Sequence, residues 1–403
     1  MKKIILSITS LFFSFTITSQ IVNYSDSLSN EPMNTAQNII SGNGGKITVS
    51  GYGQLDYNQQ VGDTLRHNGL LDVHRLITFF GYKFSDKTFF VTEIEMEHVN
   101  EIYVEQAFVQ HNINSFLNFR AGLLLTPMGI VNEYHEPTTF NGVERPNLDS
   151  KIIPTTWREM GFGLSGKFNS ASLKYQAYLM NGFLSYDDGN GKLRGTDGFR
   201  KGRQKAAKSV FTHPNLATKI DYYGIKGLKL GLAGYFGKSQ STLYDGLDYN
   251  NEVAVTSADS SVVGASMLGL DFRYKNKGFQ ARGEIIYCKN SNVKQYNTFT
   301  GKDLGQEFLG YYIEAAYDVL RLFQQGSEQE LNLFVRYENY DTHHKVYNEM
   351  TQNLTYDRTD ITMGVGLKLA NGAVLKADYQ NFTNLDENSG SRHQINAGVA
   401  VWF

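Results

Sequence analysis

From Gln394 to the end of the chain two kinds of position alternate. Ile395, Ala397, Val399, Val401 and Phe403 form one set; Gln394, Asn396, Gly398, Ala400 and Trp402 form the other. The rhythm recurs upstream. Leu331, Leu333, Val335 and Tyr337 alternate with Asn332, Phe334, Arg336 and Glu338, and Leu268, Leu270, Phe272 and Tyr274 alternate with Gly269, Asp271, Arg273 and Lys275. A repeat of two places the sets on opposite faces of a β-sheet. The runs last about ten to thirteen residues, longer than the five or six of an ordinary globular strand and close to the ~9–11 that a tilted strand needs to cross a bilayer. Strands are predicted over 46–57, 71–84, 88–97, 101–111, 116–125, 158–168, 171–181, 216–223, 227–236, 263–275, 278–289, 307–319, 329–341, 359–370, 373–382 and 392–403. The count is even, as in a bacterial outer-membrane barrel. The faces are least cleanly sorted over 71–84.

The connections carry a second signal. Short turns fall near Ser85–Lys87, Asn112–Ser115, Asn169–Ser170, Gly224–Lys226, Asn276–Lys277 and Asn371–Gly372. They alternate with long polar segments at 58–70, 126–157, 182–215, 237–262, 290–306 and 342–358, with exceptions at the brief link near Val99–Asn100 and the longer turn 320–328. Short turns at one end and long loops at the other are the mark of a transmembrane antiparallel β-barrel. A lipid-facing Arg or Lys near the midplane costs roughly 2–4 kcal/mol, so the apolar sets are assigned to lipid and the polar sets to the interior.

Composition sharpens this all-β reading. The chain holds 39 Gly, 6 Pro, 25 Tyr, 26 Phe and one cysteine, Cys288, with a formal net charge of -2. A near-neutral balance gives no phosphate-neutralising excess, so no nucleic-acid partner is expected. One cysteine excludes an intrachain disulfide and multi-cysteine metal sites. The Tyr and Phe surplus suits interfacial aromatic girdles. At the N-terminus, Lys2 and Lys3 precede an apolar stretch from Ile4 to Ile17 and small polar residues at Thr18 and Ser19. This is a secretory signal peptide, assigned to 1–19. Residues 20–45, rich in Ser, Asn and Gly, are expected to form a flexible periplasmic lead-in to a barrel over 46–403.

Candidate chemistry lies on the predicted inner face. Glu93, Glu95 and Glu97 share one side of the third strand, with Glu105 on the next; Arg120, Lys167, Lys174 and Lys219 are the inward cations that follow. Opposite-sign pairs two residues apart, Asp271/Arg273, Arg282/Glu284, Arg336/Glu338 and Lys376/Asp378, continue the charged wall. Sixteen strands leave room for water, and rings of charge set selectivity in such pores; taken singly, each pair is expected to satisfy itself and stiffen the wall. Loop 126–157 holds four of the six prolines, together with Glu133, His135, Glu136, Glu144, Arg145, Asp149 and Lys151. So stiff a loop after the fifth strand is expected to fold inward as a constriction. The stretch 192–208 has seven basic residues and one acid, fit either to steer anions to an outer mouth or to bind lipopolysaccharide phosphates.

Gly161 to Gly166 matches G-x-G-x-x-G, but it sits inside a strand and not before a helix. His343–His344, and His135 beside Glu133 and Glu136, are too scattered to predict a metal site, and no enzyme motif or cofactor is expected.

Gly51–Tyr52–Gly53, Ala107–Phe108–Val109, Arg120–Ala121–Gly122, Thr126–Pro127–Met128–Gly129, Glu144–Arg145–Pro146 and Gly161–Phe162–Gly163–Leu164 resemble the phosphate-selective porin O and P family of Gram-negative outer membranes. The resemblance covers about a third of the chain. It implies a sixteen-stranded, trimeric porin with an inward third loop, seated in the cell outer membrane. The family's pore arginine ladder and lysine cluster have no counterpart in the sequence. Passive diffusion of small hydrophilic, including anionic, solutes is therefore expected without phosphate specificity. A non-conducting barrel acting as a binding or assembly partner is the alternative.

Overall fold

The computed structural model describes residues 34–41, 46–62, 65–324 and 328–403. The predicted signal at 1–19 lies outside the described residues. Sixteen strands close into one antiparallel barrel. They are β1 (Ile47–Val61), β2 (Leu70–Lys83), β3 (Thr88–Glu97), β4 (Glu101–Asn114), β5 (Leu117–Leu125), β6 (Arg158–Phe168), β7 (Leu173–Met180), β8 (Asn215–Ile225), β9 (Leu228–Lys238), β10 (Gly264–Asn276), β11 (Phe279–Ser291), β12 (Glu307–Asp318), β13 (Glu330–Lys345), β14 (Asp357–Ala370), β15 (Ala373–Asn384) and β16 (Arg392–Trp402). Each predicted strand has its counterpart, including the poorly sorted 71–84. The seam joins β1 to β16 with Tyr52 opposite Trp402 and Asn58 opposite Asn396. Gly51 exchanges backbone hydrogen bonds of 3.0 and 2.9 Å with Phe403. A Cβ at Gly51 would stand 2.4 Å from the Ile77 carbonyl oxygen, so this closure requires glycine.

Both faces sort as predicted. Leu55, Ile94, Leu232, Leu270, Ile313 and Val335 point outward and are exposed, whereas the alternating Gln54, Asp56, Glu93, Lys219, Asp271 and Arg336 are buried inside. Aromatic rings gather at the short-turn end: Phe168 stacks on Phe116 and Tyr175 with ring centroids 5.8 and 5.3 Å apart. The brief link after β3 is a tight turn at the long-loop end, with His98 and Val99 at φ 51° and 69°. The other loops at that end carry a small sheet (Leu184–Asp187, Asn190–Gly191, Gln240–Ser241) and helices Glu252–Ser260 and Val293–Thr300.

One expectation is corrected. Within the lead-in, Thr35–Ser41 is a helix, α1, and not a flexible stretch. Its cause lies in the barrel wall. The inner face of β2–β4 carries Ile77, Phe79, Val91 and Phe108, all buried, and Ala36, Ile39 and Ile40 pack into the same cluster. Such a wall facing water is unfavourable, by about 1.5–3 kcal/mol for each large side chain. Gly81 lets α1 approach, since a Cβ there would sit 2.2 Å from Ile39 Cγ2. Thr35 Oγ1 accepts from Trp402 Nε1 at 3.0 Å.

Candidate functional site

Loop 126–157 turns into the barrel and is held on all sides by the inner wall. Its two ends are tied first. Asn132 Nδ2 donates to the carbonyls of Thr126 (2.7 Å) and Trp157 (2.9 Å), and Trp157 N donates back to Asn132 Oδ1 at 2.6 Å. Trp157 is fully buried, its ring 4.7 Å from that of Phe183 and 4.6 Å from Tyr235.

The loop's first half is fixed to β7–β11. Lys219 Nζ donates to Gly129 O at 2.6 Å and lies 3.0 Å from Glu133 Oε2 and 3.1 Å from Asp271 Oδ2. Gln176 donates to Glu133 at 2.6 Å, and Lys174 stands 3.9 Å from it. Ile130 N donates to Glu284 Oε2 at 2.7 Å. Burial works against the Glu133 carboxylate, but Lys219 and Lys174 outweigh it and hold its pKa below the ordinary range.

His135 reaches the opposite wall. Its Nε2 is 3.2 Å from Glu93 Oε1 and 3.1 Å from Glu105 Oε2, with all three side chains buried. Tyr52 OH and Gln106 Nε2 donate to Glu93 at 2.9 and 2.6 Å, and Arg158 pairs with Glu105 at 3.1 Å. Burial alone would lower the imidazole pKa, yet the two glutamates raise it well above its ordinary value, which favours the imidazolium form. Glu136 accepts from Thr35 N at 2.9 Å, which couples the loop to α1; burial pushes its pKa up.

The second half crosses to β12–β15. Asn141 donates to Glu314 at 2.8 Å, Val143 N to Asp378 at 2.6 Å, Asn147 to Asp360 at 2.8 Å and Leu148 N to Glu338 at 3.1 Å. Lys376 Nζ donates to the carbonyls of Phe140 (2.6 Å), Gly142 (2.8 Å) and Pro137. Leu148 opens a short helix, Leu148–Lys151. Within it, burial and the charge of Glu338 push Asp149 up to about 8.

These contacts revise the reading of the charge pairs. Only Arg336/Glu338 satisfies itself, at 2.8 Å. Arg282 instead pairs with Glu314 at 2.6 Å, Asp271 pairs with Lys219, and Glu284, Lys376 and Asp378 bind the loop.

The predicted wall residues therefore separate into four groups. Glu93, Glu105, Lys174 and Lys219, together with Glu133, His135 and Glu136, meet in the network around the loop. Glu95 is buried beside Glu105, while Glu97 is half-exposed at the outer rim. Arg120 bonds Gln110 at 2.7 Å and Tyr178 OH at 3.3 Å, away from the loop's ion pairs. Lys167 does not join: it is exposed near the short-turn end of β6. The sequence reading missed Tyr52, Arg158, Asp360 and α1. Arg158 was legible as a basic residue opening β6, directly after the loop.

A small space of about 20 Å³ remains between α1, the loop and the β4–β7 wall, lined by Gln106, Phe108, Arg120, Gln176, Tyr178 and Gln37. At the long-loop end, Arg200 donates to Thr155 O at 2.8 Å, and Arg203 donates to Pro154 O and Thr156 O, both at 3.1 Å. The stretch 192–208 thus clamps the end of the inward loop. Arg145, half-buried, joins this basic group: burial, then the charges of Arg75 and Arg200, push it down to about 10. Burial and the charges of Arg200, Arg158 and Arg145 push Arg203 down to about 9.

No established family profile matches the chain. Its fold is that of solved porins. The outer-membrane channel DcaP of Acinetobacter baumannii superposes with a TM-score of 0.58 at 12% identity, covering 89% of this chain and 97% of that one. The anion-selective porin from Comamonas acidovorans gives 0.55 at 14%, covering 89% and 99%. OmpF of Salmonella typhi gives 0.52 at 11%, covering 89% and 97%. In sequence, an uncharacterized protein of Aquifex aeolicus (strain VF5) is 30% identical over 357 residues, 83% of this chain and 75% of its own length. The chain and that Aquifex aeolicus protein, matched along most of both lengths, belong to one family.

Proposed function

We propose that the chain is an outer-membrane porin of a Gram-negative bacterium, exported by residues 1–19. It admits small hydrophilic solutes and favours anions. One observation carries this reading: a closed sixteen-stranded cylinder has lipid-compatible side chains outside and a charged inner wall that holds an inward loop. Loop 126–157 acts as the constriction, through Glu133, His135, Glu136 and Arg145. The passage runs along the β4–β7 wall, where Arg120 is the cation facing the remaining space. Anion preference rests on the crowded guanidinium groups of Arg145, Arg200 and Arg203, whose mutual repulsion an entering anion relieves.

The Glu93–Glu97 stripe, which on its own opposes anions, is partly neutralised by His135 and Arg158. The resemblance to phosphate-selective porins implies an inward third loop and trimeric assembly, with lipid and lipopolysaccharide as surroundings. Planar-bilayer recording in a salt gradient tests the reading. Wild type is expected to give conductance steps with an anion-side reversal potential, and Arg200→Glu/Arg203→Glu to move that potential toward cations. A cation-selective wild type would overturn the anion preference.

A second reading has its own support. Arg336 and Glu338 on the wall are 0% exposed, sealed by the loop. A barrel so filled could serve as a non-conducting binding or assembly partner, and absence of any conductance step would favour it.

A further inference from the structure

Toward the outer rim, side chains from β1, β2 and the β3–β4 turn converge, with Gln54 Nε2 bridging Asp56 Oδ2 (3.1 Å) to the carbonyl of Val143 in the inward loop (3.2 Å). Asp56 Oδ2 is 2.8 Å from His74 Nδ1, and Asp72 Oδ2 is 2.5 Å from His98 Nδ1. The two imidazole rings have centroids 5.7 Å apart, tilted by 44°. Asp56, Asp72 and His74 each offer a ligand atom within 4.8 Å of the other two. Glu97 Oε1 approaches His98 Nε2 at 4.0 Å. The fold builds this arrangement deliberately. The left-handed conformations at His98 and Val99 turn the chain within the hairpin, and His98 N donates to His74 O at 3.3 Å.

We propose that these residues bind a divalent transition-metal ion of the zinc class. Ligands about 2.0–2.2 Å from a tetrahedral ion lie about 3.3 Å from one another. Asp56, Asp72 and His74 already bring one ligand atom each within 4.8 Å of the other two, and His98 stands 2.5 Å from Asp72 as the fourth donor that a side-chain rotation would add. Two imidazoles with carboxylates form a nitrogen–oxygen donor set that suits zinc, copper or nickel, whereas calcium and magnesium take oxygen alone. Asp56, Asp72 and Glu97 supply negative charge for a dication. Access is open on one side, since His98 is about half exposed (49%) while Asp56 is sealed at 2%. The ion pins three neighbouring strands together at the rim.

The test uses the untagged full chain in detergent. Zinc titrated by calorimetry is expected to bind with one ion per chain, and cobalt to give the visible absorption of a nitrogen–oxygen site. His74→Ala/His98→Ala is expected to weaken zinc about 100-fold, about tenfold for each ligand, on the scale seen when metal-site partners are removed. Asp72→Asn, which keeps shape and both histidines, is expected to weaken it at least tenfold and so separates ligation from misfolding. His111→Ala/His393→Ala, two histidines bonded elsewhere to Thr88 and Tyr379, is expected to bind as wild type does. Absence of zinc binding in wild type, or binding that survives His74→Ala/His98→Ala, overturns the proposal. Equal loss in the His111/His393 control overturns it as well, since it marks adventitious surface binding.

Discussion

His135 is the sharpest place to perturb the inward loop. Its imidazolium is the cation between Glu93 and Glu105, at 3.2 and 3.1 Å, and it is 2% exposed. Replacing it with Gln keeps much of the volume and a donor but leaves the two buried carboxylates with less cationic compensation. Removing one partner of a buried ion pair costs about 3–5 kcal/mol. Arg158 still pairs with Glu105, so the expected loss is nearer the lower figure.

The pH dependence supplies a sharper signature. The folded imidazole pKa is raised above its unfolded value, so His135 stabilises fully below about pH 6.5. That stabilisation declines by about 1.4 kcal/mol per pH unit as pH rises toward the folded pKa, and is gone above it. Asp149, pushed up to about 8, has its own slope below that pH, but in both proteins. The difference between wild type and His135→Gln therefore isolates the histidine. Denaturant unfolding in micelles, followed by Trp157 fluorescence in a Trp402→Phe background, reads it directly because Trp157 closes the loop. A wild-type-minus-variant difference that stays flat between pH 6.5 and 9, or a midpoint that His135→Gln does not move, would refute the stabilising role of His135.

Three further outcomes follow from the same geometry. Gly81→Val drives a side chain into Ile39 of α1 at an overpacking cost of about 1–3 kcal/mol; Trp402 emission should then shift to the red in a Trp157→Phe background and bilayer conductance should rise. Lys219→Met leaves Glu133 and Asp271 without their shared cation and should cost about 3–5 kcal/mol in micellar unfolding, more than Lys167→Met at the exposed end of β6. Arg120→Met, at the passage but outside the loop's ion pairs, should weaken anion preference in reversal potentials while leaving the unfolding midpoint within about 1 kcal/mol.

Strand number, face assignment and loop alternation were legible because each depends on local periodicity, and lipid punishes a misplaced charge wherever it falls. The register of 71–84 was harder to read. A one-residue register shift against β1, between the Gln54–Arg75 and Asp56–Asp72 pairs, moves the inner face from Asp72 and His74 to Arg75, Ile77 and Phe79, so neither parity nor polarity is constant along the strand. That mixed face is also why α1 was missed: the apolar patch becomes a docking site only when β2, β3 and β4 lie side by side. The partners of the charge pairs were misassigned for a related reason. A spacing of two puts Lys376 and Asp378 on one face, but it cannot reveal that loop carbonyls and the Val143 amide offer closer contacts. Loop 126–157 could be read as inward from its prolines, yet its contacts join residues up to 239 positions apart.

The chemistry of the wall follows from that long reach. An apolar loop could fill the same volume at equal or lower free energy, because buried ion pairs repay desolvation only with exact partners. Here the partners are numerous and directional: Glu133 meets Lys219, His135 meets Glu93 and Glu105, and Lys376 caps successive carbonyls. A loop displaced by one residue would strand several charges together, so the network selects one seating. The β4–β7 side is mixed. There Glu105, Arg158, Lys174 and Gln176 join the loop's network, while Gln110 and Tyr178 present neutral polar groups to Arg120. Under the proposed porin reading, the small space beside Arg120 is where a solute would pass, and the charge-fixed loop is the constriction beside it.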